Sequence, residues 1–172
     1  MKEPLKLGLY LFVIAAVAGL ALAAVNHLTR DRIARQMSER EQAALRDVLP
    51  QAASFRPQAD CQEGLDASGA VIGYVLWIGA PGYASTIEAF VGVDREFKVT
   101  GVKILGQNET PGLGAKVGEP KFTGQYTGKG AAEIRLKKDG GTIDAITAAT
   151  VSSRALTNTI QERLDEFQKS RR

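Results

Sequence analysis

A single cysteine, Cys61, and a single histidine, His27, occur in the 172 residues. One sulfur excludes an internal disulfide, a thiolate zinc site and a self-contained iron–sulfur cluster, each of which needs several. The lone histidine ends the first apolar run, a poor setting for a catalytic triad or a metal. Basic residues outnumber acidic ones by only 22 to 19, and no five Lys or Arg run together, so the +3 charge does not indicate a nucleic-acid partner. Redox or transfer chemistry on such a chain has to come from a cofactor.

What the chain does have is one uncharged stretch, residues 7–25. At 1.5 Å per residue about 19 residues just cross a hydrocarbon core of roughly 30 Å. The rival is a cleaved signal peptide, because Ala21-Leu22-Ala23 follows Lys2 and Lys6 at a distance and resembles a small-x-small site. The run exceeds the usual length of a signal core and helical sequence continues past it, which favours an uncleaved anchor over residues 1–28. Lys2 and Lys6 on one side stand against Arg30, Arg32 and Arg35 on the other, so charge does not choose an orientation. Residues 29–50 keep apolar positions at Ile33, Met37, Ala44, Leu45 and Val48 before Pro50, which predicts an amphipathic stalk helix.

Residues 51–69, with Pro57, Gly64 and Gly69, show no period and predict an irregular connection. Strand patterns follow at 70–78, 86–93 and 98–105, separated by G-A-P-G-Y and D-R-E-F, and predict a three-stranded antiparallel meander. Trp77 and Phe90 are expected in the core. A short helix or turn is expected over 121–126 and a fourth strand over 132–138, with Ile134 and Leu136 on one face. Val151, Ala155, Thr159/Ile160, Leu164 and Phe167 give a terminal helix one apolar face. The class is α+β: an N-terminal transmembrane helix and stalk helix, then an antiparallel sheet domain packed with helices over 51–172.

Two segments carry the chemistry. Residues 107–118, Q-N-E-T-P-G-L-G-A-K-V-G, place three Gly and a Pro in one connection, which suits either a bare surface loop or a pocket wall at Thr110, Leu113 and Gly114. The Gly spacing does not fit a dinucleotide fingerprint, and no βαβ unit surrounds it. Residues 140–153, G-G-T-I-D-A-I-T-A-A-T-V-S-S, crowd hydroxyls onto a corner where a helix begins. The unpartnered N–H groups and dipole there attract an anion such as phosphate, and small residues at Ala145, Ala148 and Ala149 admit it. The same pattern suits plain capping by Thr147, Thr150 or Ser152, the commoner role of such residues at a helix start.

D-A-I-T-A-A-T-V-S-S, Asp144 to Ser153, resembles the flavinylation motif of the FMN-binding domain family: an acid, two apolar residues, Ser or Thr, Gly, Ala, Thr, any residue, then Ser or Thr. E-T-P-G-L-G, from Glu109 to Gly114, resembles a second signature of that family, and G-Y-x-x-x-I, from Gly82 to Ile87, a third. With an apolar span ahead of them, the order over essentially the whole chain is similar to that of the G subunits of Rnf (Rsx) electron-transport complexes. The C subunit of the sodium-pumping NADH:quinone reductase shares the same plan and is the alternative within the class. A flavin-free, membrane-anchored binding or assembly module is the alternative outside it.

The resemblance implies FMN attached through its phosphate to the Thr150 hydroxyl by a separate flavin transferase that uses FAD. Thr147, Val151, Ser152, Ser153, Glu109, Thr110, Leu113, Gly114 and Tyr83 are then expected around the flavin, with no catalytic or metal-binding residue. It also implies membrane and redox partner subunits, electron relay between ferredoxin and NAD coupled to ion movement, and a domain outside the cytoplasmic membrane. The motif's usual Gly is Ala148 here and its Ser is Thr147. Ala tolerates a left-handed backbone poorly, so Ala148 is the departure that matters. A phosphate at an exposed helix start gains only about 0.3–1 kcal/mol from the dipole against roughly 8 kcal/mol for micromolar binding, which is why a covalent tether is useful.

Overall fold

The computed structural model describes residues 2–171. Helix α1 runs unbroken from Lys2 to Val48. Within it Tyr10–Arg30 is long and apolar enough to cross a membrane. The expected anchor and stalk are thus one helical element, since nothing between residues 25 and 48 breaks α-geometry before Pro50. Of the expected stalk face, Ala44, Leu45 and Val48 are buried whereas Met37 is exposed; the Ile33 side chain lies outside the described residues.

Chain packing separates residues 1–40 from a compact unit, Glu41–Arg172. That unit is built on a five-stranded antiparallel meander: β1 (Ser54–Pro57), β2 (Gln62–Leu65), β3 (Val71–Pro81), β4 (Thr86–Asp94) and β5 (Val99–Gly106), in sequential order. The three expected strands are the three long ones, β3, β4 and β5. The expected irregular connection over 51–69 is instead the β1–β2 hairpin, whose Ser54–Pro57 pairs with Gln62–Leu65. Four-residue strands are too short to show a period, and β2 is held by pairing with β3.

One sheet face presents Leu76, Ile78, Ala80, Ile87, Ala89, Val91 and Val93 to helix α3 (Thr150–Ser170), which inserts Leu156, Ile160, Leu164 and Phe167. Those four side chains contribute on the order of 6–12 kcal/mol of burial. Ser152, Ser153 and Thr157 complete the buried face, while Val151, expected on it, is 54% exposed. The 107–149 connection closes the layer with Val117, Phe122, Tyr126, Ile134, Leu136 and Ile143. Tyr126 Oη and Thr157 Oγ1 share a hydrogen bond of 2.8 Å, and burial pushes the Tyr126 phenol above its usual range. The expected turn over 121–126 is the one-turn helix α2 (Pro120–Thr123) followed by a 3-10 turn, Gly124–Tyr126.

No strand forms over 132–138. Ile134 and Leu136 are both buried as their alternation predicts, but 3-10 turns at Ala131–Glu133 and Lys137–Asp139 flank them. Their backbone closes on itself, with Ile143 N donating to Arg135 O and Lys137 N donating to Ile143 O, rather than joining the sheet.

The opposite face is covered by the end of α1. Ala44, Leu45, Val48 and Leu49 pack on Val75 and Phe90, and Thr100 Oγ1 donates to the Val48 carbonyl at 2.5 Å. Gly92 permits this approach: a Cβ there would stand 2.2 Å from Val48 O. The cover stops short of Trp77, which is 54% exposed and not core as expected, although it pairs across the strands with the buried Phe90. Cys61 is buried, its thiol pushed up by burial, and Arg171 Nη2 donates to Sγ at 3.4 Å.

Candidate functional site

Three separate segments meet at the start of α3. The turn after β3 brings Tyr83, the loop after β5 brings Glu109, Thr110, Leu113 and Gly114, and the corner ahead of α3 brings Ala148, Ala149, Thr150, Val151 and Ser152. Together they line an open cleft of about 450 Å³. Eight of the ten residues expected around the flavin therefore meet in one place. Thr147 faces a neighbouring cleft. Ser153 is fully buried, its Oγ donating to Ala149 O at 2.9 Å and accepting from Ile146 N at 3.0 Å, so it holds the corner and does not face a ligand.

Glu109 ties the three segments together. Its buried carboxylate accepts from the backbone N–H of Tyr83, Ala84 and Ser85 at 3.3, 2.9 and 3.0 Å, and from Ser152 Oγ at 2.5 Å. Burial pushes the carboxyl up, but the Ser152 hydroxyl and the three amides together outweigh it and hold the group below the usual carboxylate range. Glu109 is thus an ionised strut inside the wall. Gly114 is required by the close approach: a Cβ there would stand 2.6 Å from Glu109 Oε2 and 2.8 Å from Ser152 Oγ, and one at Gly82 2.5 Å from Glu109 Oε1.

Capping by Thr147, Thr150 or Ser152, one of the two sequence expectations, does not occur. The N-cap is Ala149, and among the described residues no side chain caps α3. Ser152 is committed to Glu109 instead. The half-buried Thr150 is the first helical residue, and its hydroxyl makes no hydrogen bond among the described residues. Ahead of it Ala148 adopts φ +62°, the left-handed conformation that the sequence singled out as costly for alanine. The Asp144 carboxylate meets Lys137 Nζ at 2.7 Å, and its backbone is clamped by Gln125, which donates from Nε2 to Asp144 O and accepts from Asp144 N.

The arrangement suits a flavin phosphate. An uncapped helix start offers unpartnered N–H groups, a free hydroxyl stands at that start, and the methyl-sized Ala148 and Ala149 leave it accessible. Tyr83 at 74% exposed, Leu113 at 41% and Val151 give the cleft an apolar rim.

Comparison with known proteins identifies the class of this domain. Residues 82–165 match the model of the FMN-binding domain, and residues 1–48 match that of the RnfG N-terminal region. The G subunit of the ion-translocating oxidoreductase complex of Methanosarcina acetivorans is 33% identical over 95% of this chain and 94% of its own. The G subunit of the Na(+)-translocating ferredoxin:NAD(+) oxidoreductase complex of Acetobacterium woodii is 34% identical over 97% and 93%. The crystal structure of NqrC from Shewanella oneidensis superposes with a TM-score of 0.53 at 22% identity, covering 70% of this chain and 72% of that one, which shows a shared fold. The chain belongs to the family of G subunits of ion-translocating oxidoreductase complexes.

Proposed function

We propose that the chain is a membrane-anchored electron carrier bearing FMN as a phosphoester on Thr150, within an Rnf-type ferredoxin:NAD oxidoreductase coupled to ion translocation. The observation that carries this reading is the unbonded Thr150 hydroxyl at the start of an uncapped helix, inside a cleft of about 450 Å³. Family membership supports it, as do relatives whose names specify such complexes.

Attachment by a flavin transferase joins Thr150 Oγ1 to the flavin-side phosphorus of FAD and breaks the pyrophosphate bond. AMP leaves, and the hydroxyl proton ends on its phosphate. Once bound, FMN supplies one- or two-electron chemistry. The chain's own residues would hold and orient the group: the α3 amides would meet its phosphate, Glu109 locks the three wall segments together, and Tyr83, Thr110, Leu113 and Val151 would flank the ring. The helix over Tyr10–Arg30 anchors residues 1–28 in the cytoplasmic membrane, the remainder of α1 serves as stalk, and the domain over 51–172 lies on the extracytoplasmic side beside the membrane and redox subunits of the complex.

Co-expression with a flavin transferase, denaturing electrophoresis under ultraviolet light and intact mass test the assignment. The expected result is a fluorescent band, with a mass increase of one FMN less water, that disappears in Thr150→Val and persists in Thr147→Val. A bare polypeptide mass in the unmutated chain supports instead the flavin-free anchored module. Protease added to right-side-out vesicles is expected to digest the domain; its protection there overturns the extracytoplasmic placement.

A further inference from the structure

Of the residues that line the cleft at the start of α3, Glu109 alone carries a charge, and no Lys, Arg or His is among them. We propose that Glu109 tunes the flavin tethered at Thr150: its uncompensated negative charge, set in the wall of the cleft that takes the ring, lowers the midpoint potential. The proposal rests on the Thr150 attachment.

Glu109 is 5% exposed, and every group that holds its carboxylate is neutral: the amides of Tyr83, Ala84 and Ser85 and the hydroxyl of Ser152. Its own N–H donates to Gln107 Oε1, another neutral group. Such donors keep a carboxylate ionised, but they do not cancel its net charge. Bases on the same segments are directed elsewhere. Lys116 lines the neighbouring cleft with Glu119 and Asp144, and Arg154 lines a groove along α3 and pairs with Asp139 at 3.0 Å. The one other titratable group in the lining is the Tyr83 phenol.

Two further charges bear on the ring. The start of α3 contributes roughly half a positive charge. A phosphate esterified to both Thr150 and the ribityl chain carries one negative charge, which more than offsets it. The loaded cleft is therefore net negative before any electron arrives, and Glu109 is the protein's share of that charge.

Two-electron reduction with uptake of one proton from water gives the ring one negative charge at neutral pH, the electrons coming from the donor of the proposed relay. A like charge buried in the adjoining wall raises the energy of the reduced form and leaves the neutral oxidised form nearly unaffected. The midpoint potential falls as a result. Because the carboxylate is buried, salt screens it far less than it would a surface charge. One ionised side chain thus both ties the wall together and sets the electron affinity of what the wall holds.

The test is potentiometry of the full chain in detergent with its covalent flavin, followed by visible absorbance at neutral pH. Glu109→Gln is expected to raise the midpoint potential; a tenfold gain in preference for the reduced form corresponds to about 30 mV for two electrons. Glu109→Asp, which keeps the charge, is expected to stay with the unmutated chain. Ser152→Ala loosens the same wall but leaves the carboxylate in place, so its potential is not expected to rise. An equal rise in Glu109→Gln and Ser152→Ala reports loosening instead of charge and overturns the proposal, as does an unmoved potential in Glu109→Gln. If Glu109→Gln takes up no flavin, carbon NMR of the Glu109 carboxyl in the unmutated chain decides. Coupling is reciprocal, so reduction is expected to raise the pKa of Glu109, and an unmoved one overturns the proposal. Absence of covalent flavin from the unmutated chain overturns the attachment itself; flavin present without these shifts overturns the tuning role alone.

Discussion

Ser152 Oγ donates to Glu109 Oε2 at 2.5 Å, joining the first turn of α3 to a loop forty-three residues earlier. The same carboxylate reaches the 83–85 turn through three backbone amides, so the geometry of the cleft depends on one ionised side chain.

Replacing Glu109 by Gln keeps the size but swaps one oxygen for a donor, which faces other donors. At least one buried N–H or hydroxyl then loses its acceptor, at a cost of about 1–3 kcal/mol. Thermal unfolding of the full chain in detergent is expected to show this loss, and the yield of flavinylated protein should fall with it.

The pH dependence follows from the direction of the shift. Because the folded-state pKa of Glu109 lies below its ordinary 4.5, the unfolded chain binds the proton first as pH falls. The stability due to this ionised group is therefore present above pH 4.5 and lost on acidification through the folded value. Asp66 and Asp139, lowered by hydrogen bonds led by Ser68 and by Arg154, add to the same acid slope. Denaturant unfolding from pH 6 down to pH 3 should show a shallower decline in Glu109→Gln than in the unmutated chain, and equal slopes would contradict the assignment.

At Ala148 the left-handed backbone costs an L-residue about 1–2 kcal/mol, partly offset by the lower chain entropy of Ala against Gly when unfolded. Ala148→Gly should stabilise the domain by about 0.5–1 kcal/mol. Since the native turn is already left-handed with Ala, the end point of flavin labelling should not change; Ala148→Val, β-branched in that conformation, should destabilise and slow labelling. Unfolding curves and timed in-gel fluorescence give both readings.

Gly92→Ala drives a methyl toward the Val48 carbonyl, a backbone atom that can retreat only by lifting the end of α1 off the sheet. An overpacking cost of about 1–3 kcal/mol is expected. Faster proteolytic cleavage within residues 48–53, together with a lower melting temperature, would register it.

Legibility followed the length of each element. The long strands β3 to β5 and α3 carry enough residues to display their period, and the apolar span declares itself by length alone. The hairpin of four-residue strands does not, because its identity comes from its pairing partners. Ile134 and Leu136 alternate correctly yet form no strand, since alternation reports burial, and turns can bury alternate residues as well as a sheet can. Trp77 and Phe90 pair directly, yet whether each is covered depends on where α1 ends.

By itself the sequence determined an apolar span, an α+β domain and two motifs whose residue types suit a tethered flavin. It also singled out Thr150 and Ala148. Only the tertiary structure decided that Glu109 is a buried strut, that Ser152 serves it and does not cap α3, and that Thr147 and Thr150 look into different clefts. Periodicity and composition are properties of neighbouring residues, whereas a hydrogen bond spanning forty-three residues, or a ridge between two cavities, exists only once distant segments are packed together.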